Sequence, residues 1–209
     1  MTKYILSKKV VTSTFAQNVY KVFIIIYSFY ISFSAQVFAL DAEAPLGGES
    51  FKQIVVDDTA ALERKMRQDQ EALDAERIAK IHAYFARYNL PLKDEAEHFV
   101  KAANEHGIDW RLVAAIGFIE STGGKFACST ADYSAFGWGS CNISFDSYAE
   151  SIDVISMNLG GHNPNTESYY AGKDTRGILE TYNPPHIVPN YADKVMRQMD
   201  IIDNQKVTL

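Results

Sequence analysis

Apolar residues recur at helical spacing along most of this chain, and small or turn-forming residues interrupt them. "RIAKIHAYFARYNLP" places Ile78, Ile81, Phe85 and Tyr88 on one face and predicts a helix ended by Pro91. "KDEAEHFVKAANEHG" predicts the next, with acids near its start and Gly107 as its stop. Asp109 is a candidate N-cap for "WRLVAAIGFIES", which Gly123 and Gly124 end. A stretch rich in Gly, Ser and Cys reaches to about Ser144 and predicts an irregular insert or a small hairpin. Helical patterning resumes in "FDSYAESIDVISMNLGG", with Asp146 as the expected cap, then in "ESYYAG", "TRGILETY" and "NYADKVMRQMDII". The fold class is therefore mainly α, at most α+β, with one small insert.

Upstream the pattern changes. "DDTAALERKMRQDQEALDA", from Asp57 to Ala75, is rich in helix formers and in opposite charges at helical spacing, but its apolar stripe is thin. It reads as a charged helical spacer rather than a coiled coil, which needs more heptads. Residues 41–56 read as linker. The expected organisation is an N-terminal segment over 1–39, linker and spacer over 40–76, a helical domain over 77–203 and a tail over 204–209.

The first 21 residues hold Lys3, Lys8, Lys9 and Lys21 and no acid, and the 19 residues from Val22 to Leu40 carry no charge. Such an order describes an export signal cleaved after Ala39. The rival reading is a membrane anchor over residues 22–40, since the run approaches the ~20 residues that span a bilayer. Either reading places the rest of the chain outside the cytoplasm, in the periplasm, the cell envelope or the medium. Cys128 and Cys141 are then expected to form a disulfide, which persists in oxidising compartments. The chain holds 20 Lys and Arg against 26 Asp and Glu, net −6. Without the four N-terminal lysines the imbalance deepens, which argues against a nucleic-acid partner. No CxxC and no histidine pair at i, i+4 suggests a metal site. No cofactor is implied, and a monomer is expected.

One residue breaks the hydrophobic pattern informatively. Glu120 shares its helix face with Ile116, Val113 and Leu112, so a carboxylate continues an apolar stripe. It either sits where the helix leaves the core, pairs with an arginine, or serves chemistry. Acids near a helix C-terminus are disfavoured by its dipole. The aromatic surroundings in sequence (Phe118, Phe126, Phe136, Trp138) should raise its pKa, as a general acid requires. By residue type Trp138 and Tyr182 either pack in the core or line a binding surface. Asn183 either bonds a ligand or shapes the turn before Pro184.

"AAIGFIESTGGKFAC", "SAFGWGSCNISFDSYAESI" and "YNPP…YADKVMRQM", in that order, resemble the lysozyme-like superfamily over roughly residues 77–203. The nearest match is the glucosaminidase group of mannosyl-glycoprotein endo-β-N-acetylglucosaminidase-like domains, to which lytic transglycosylases are related. The resemblance implies a helical glycoside hydrolase cleaving β-1,4 bonds in peptidoglycan or another N-acetylhexosamine glycan. It implies Glu120 as the catalytic acid, its neighbour Ser121 among the substrate-binding residues, Phe136, Gly137 and Trp138 as the sugar-groove segment, Tyr182 facing the acid, Trp138 and Tyr182 stacking on sugar faces, and Asn183 bonding an N-acetyl group. Ser134 and Ala135 stand where the family usually has Asn-Pro. A second carboxylate is common in such enzymes, and Asp132 is the candidate. Substrate-assisted routes, or attack by a muramoyl 6-hydroxyl as in the lytic relatives, need none. A wall-binding or assembly module without catalysis is the competing class.

Overall fold

The computed structural model describes residues 48–208 and is helical, with no strand among the described residues. Two compact units divide the chain, residues 1–64 and 65–209. The described part of the first is helical. The expected signal or anchor over 1–40 lies outside the described residues, among which no helix is long and apolar enough to cross a membrane.

Helix α1 spans Gly48–Ala86, so residues 48–56 are helix where linker was expected. In the second unit its C-terminal turns supply core, with Ile81, Tyr84 and Phe85 buried, while Met66 and Leu73 stay exposed; in the first, Leu62 is exposed. The helix stops at Ala86, before Pro91. Asn89 turns the chain in the left-handed region, and Pro91 opens a 3₁₀ turn, Pro91–Glu95, at the position where its missing N–H costs nothing. Helix α2, Ala96–His106, ends at Gly107 as expected.

Helix α3, Leu112–Ser121, buries every residue from Leu112 to Gly117. A helix apolar all round belongs at the centre of a bundle, and α3 packs between its neighbours there. Asp109 does not cap it directly. Its carboxylate accepts the Arg111 N–H at 2.9 Å and holds the turn that leads into the helix. At the other end, Thr122 and Gly123 are both left-handed, and the Gly123 N–H bonds the Gly117 carbonyl at 3.1 Å. This is a Schellman-type stop. Gly123 is required twice over, because a Cβ there would lie 2.8 Å from the Phe85 ring.

The insert between Phe126 and Asp146 forms no hairpin. It is held by Cys128–Cys141, by Cys128 N–H to the Ser134 carbonyl at 3.0 Å and by Phe145 N–H to the Asp132 carbonyl at 3.0 Å. Left-handed backbone at Gly137, Gly139, Ser140 and Cys141 prevents an extended strand there. Helix α4, Tyr148–Leu159, is capped by Ser147 rather than Asp146: its hydroxyl accepts the Glu150 N–H at 3.0 Å. The Glu150 carboxylate in turn accepts the Asp146 N–H, a variant of the capping box. Helices α5 (Glu167–Tyr170), α6 (Thr175–Tyr182) and α7 (Tyr191–Asp203) follow, α6 capped by Asp174. α7 lies along α3 and α6, so its first residue arrives beside the last turn of α3.

Candidate functional site

Glu120 leaves the buried stripe at the end of α3 and opens onto a groove of about 330 Å³. One wall is the backbone of Phe136 and Gly137 with Trp138, Gly139 and Ser140. The other is Tyr182, Asn183, Pro184 and Ile187, from the end of α6 and the loop after it. The first wall's shape depends on the left-handed residues just described. Such backbone persists in non-glycine residues only where its surroundings hold it. Here the disulfide and the bond from Thr130 Oγ1 to the Cys141 carbonyl, 3.0 Å, do so.

The carboxylate is positioned by a residue that sequence reasoning missed. Tyr191, the first residue of α7, donates its hydroxyl proton to Glu120 Oε1 at 2.5 Å. The other oxygen, Oε2, faces Gly137: a Cβ at that residue would stand 3.5 Å from it. Gly137 is also left-handed, so both backbone and space favour glycine. Although Glu120 as a residue is exposed, its carboxyl sits against these groups and is partly dehydrated. Burial pushes its pKa above the ordinary glutamate value, and the Tyr191 hydrogen bond pulls the other way. Among the described residues Glu120 has no ion-pair partner, so the arginine alternative is not what occurs.

Three rings stack beside the acid. Trp138 lies 5.9 Å from Tyr182 at 30°, and Tyr182 lies 5.9 Å from Tyr191 at 18°. Tyr182 lines the groove with Glu120 and feels its charge, while its hydroxyl donates to the Phe136 carbonyl and pins the opposite wall. Burial keeps both tyrosines neutral by pushing their pKa values far up, with the Glu120 charge adding to the effect. Tyr191 thus keeps the proton that it donates to the carboxylate.

The remaining expected site residues divide clearly. Trp138, Gly137 and Asn183 line the groove. Phe136 contributes backbone there, while its ring is buried in the core. Ser121 is a correction: it is buried, donates to the Gly117 carbonyl at 3.0 Å and accepts the Gly124 N–H at 2.9 Å. Both bonds close the end of α3, and burial keeps the hydroxyl from the groove. Asp132 is exposed and does not line the groove, and its backbone ties the insert together. Glu120 is the single carboxylate lining the groove among the described residues. Nothing local in the sequence marks Tyr191, Ser140 or Ile187, since each reaches the groove only through packing of distant elements. No protein-family model, curated protein or solved structure matches the chain.

Proposed function

We propose that this protein is an exported, lysozyme-like glycoside hydrolase that cleaves β-1,4 bonds in peptidoglycan or a related N-acetylhexosamine glycan. The observation that carries the reading is Glu120 itself. It is a partly dehydrated carboxyl with one oxygen held by Tyr191 and the other facing an open groove walled by aromatic side chains. A raised pKa keeps a carboxyl protonated nearer neutral pH, which is what protonating a leaving glycosidic oxygen needs. Trp138 would hold a sugar by its apolar face, and the Asn183 amide would meet an N-acetyl group.

With one carboxylate in the groove, attack at the anomeric carbon falls to the substrate. In one route the N-acetyl oxygen displaces the leaving group that Glu120 has protonated, and water then opens the resulting oxazolinium ion, giving its proton to the Glu120 carboxylate. In the other a muramoyl 6-hydroxyl displaces it, closing an anhydro ring and giving its proton to that carboxylate. Neither route needs Asp132. Incubation with purified peptidoglycan tests the reading. Reducing ends indicate the first route and anhydro-sugars the second. Glu120→Gln is expected to abolish both products, and activity that survives it would refute the assignment. The single carboxylate also favours one alternative, a wall-glycan binding module without catalysis. Sedimentation with sacculi and no product from any of them would establish that reading instead.

A further inference from the structure

A second, smaller cavity of about 240 Å³ shares no residue with the groove. Phe118, in its lining, precedes Glu120 by two positions on α3, which turns the two side chains to different sides of the helix. The floor is aromatic. The Tyr84 ring lies 5.2 Å from the Phe118 ring at 57°, and the Tyr84 hydroxyl donates to Gln198 Oε1 at 2.8 Å. At the rim, apolar side chains stand open to solvent: Tyr88 is 59% exposed and Ile201 40%. The Arg87 guanidinium lies over the Tyr88 ring, 5.5 Å from its centre, and has no ion-pair partner among the described residues. It is also the one charged side chain in the lining among those residues. Two amides complete the polar set. Gln198 uses its oxygen on Tyr84 and keeps its N–H donors, whereas Gln205 donates Nε2 to the Ile201 carbonyl at 2.8 Å and keeps its oxygen.

We propose that this cavity binds the carboxy-terminal end of a peptide whose last residue is apolar. The free carboxylate pairs with Arg87, whose planar fork suits it. The last side chain packs against Phe118, Tyr88 and Ile201. The preceding peptide group needs one donor and one acceptor, and Gln198 and Gln205 offer them. A phosphate group fits less well, because a single arginine would face a dianion in a chain of net charge −6. The volume admits a chain end and not a folded surface, which needs a far larger area. The proposal does not rest on the glycan reading, since the two sites have no residue in common.

Calorimetric titration of the full-length protein tests it with three probes: acetyl-alanyl-leucine, its carboxy-terminal amide, and inorganic phosphate. The acid is expected to bind with a Kd on the order of 1 mM, as suits so small a ligand. It should exceed the amide about fivefold, the worth of a half-exposed charge-assisted pair. That ratio should narrow in high salt, which screens exposed charges. Arg87→Gln should bring the acid down to the amide and leave the amide unchanged. Tyr88→Ala, at an exposed position, should weaken both. Ile201→Glu, which sets a carboxylate at the rim, should weaken the acid more than the amide. Equal binding of acid and amide by the native protein would overturn the proposal, as would a preference for the acid that survives Arg87→Gln. Phosphate bound as tightly as the peptide acid would also overturn it, and so would no heat from either peptide at about 10 mM, tenfold above the expected Kd. No glycan enters these titrations, so each of these failures leaves the reading of Glu120 where it stands.

Discussion

Replacing Tyr191 by Phe isolates the contact that aims the carboxyl. The substitution removes one oxygen and keeps the ring that stacks on Tyr182 5.9 Å away. The lost bond, 2.5 Å from hydroxyl to Glu120 Oε1, is to an ionisable acceptor. Such bonds contribute about 1.5–3 kcal/mol. Water can enter the open groove and replace part of the bond, so the lower end applies. A loss of about 1.5 kcal/mol in transition-state positioning corresponds to roughly tenfold in kcat/KM. The pH profile carries the sharper signature. The hydrogen bond favours the ionised carboxylate, so its loss raises the Glu120 pKa further. A catalytic acid works while protonated, and the alkaline limb of kcat/KM should therefore move to higher pH. Tyr182→Phe is the control: that hydroxyl bonds the Phe136 carbonyl, not the acid. On the proposed reading it should lower kcat/KM through a looser wall and leave the alkaline limb in place. Steady-state kinetics on solubilised glycan across the pH range reads both variants. A Tyr191→Phe variant with native rate and native profile would refute the reasoning, as would an identical shift in Tyr182→Phe.

Three further expectations follow from the same geometry. Burial raises the Glu120 pKa in the folded protein above its unfolded value, so its contribution to stability is present at low pH and is lost as pH rises through the folded pKa. Thermal melts should accordingly show Glu120→Gln gaining on the native protein as pH rises from 4 to 7, and a growing deficit would refute this. Replacing both Cys128 and Cys141 by Ser opens a loop with a sequence separation of 13 and should cost about 3 kcal/mol in urea unfolding. On the proposed reading it should also lower glycan affinity more than the stability loss explains, because the left-handed wall at Ser140 loses its tie. Gly123→Ala meets the Phe85 ring at 2.8 Å with a positive φ, and should destabilise by about 1–3 kcal/mol, visible as a lower urea midpoint. A native midpoint would show that the end of α3 can shift.

Much of this architecture is legible in the order of residues. Helix periodicity is a local property, so α2 through α7 stand close to where the apolar spacing places them. Boundaries moved where local partners compete. Ser147 outbid Asp146 as a cap because its short hydroxyl reaches the Glu150 N–H, and residues 48–56 joined α1 despite their mixed composition. The pairing of Cys128 with Cys141 followed from there being only two cysteines and an export-like N-terminus.

Glu120 shows the division most plainly. By itself the sequence determined that a carboxylate extends an apolar stripe at the end of a helix, and that aromatic segments follow it. It left open whether that carboxylate meets solvent, an arginine or a groove. Only the tertiary structure decided that Tyr191, 71 positions away, holds it, that Tyr182 pins the opposite wall, that Ser121 serves the helix end, and that Asp132 stands outside the groove. The physical reason is range. Backbone preference and periodicity act over a few residues, whereas a site is made by side chains that α3, α6, α7 and the disulfide-closed insert bring together, and no local pattern records which of their faces will meet.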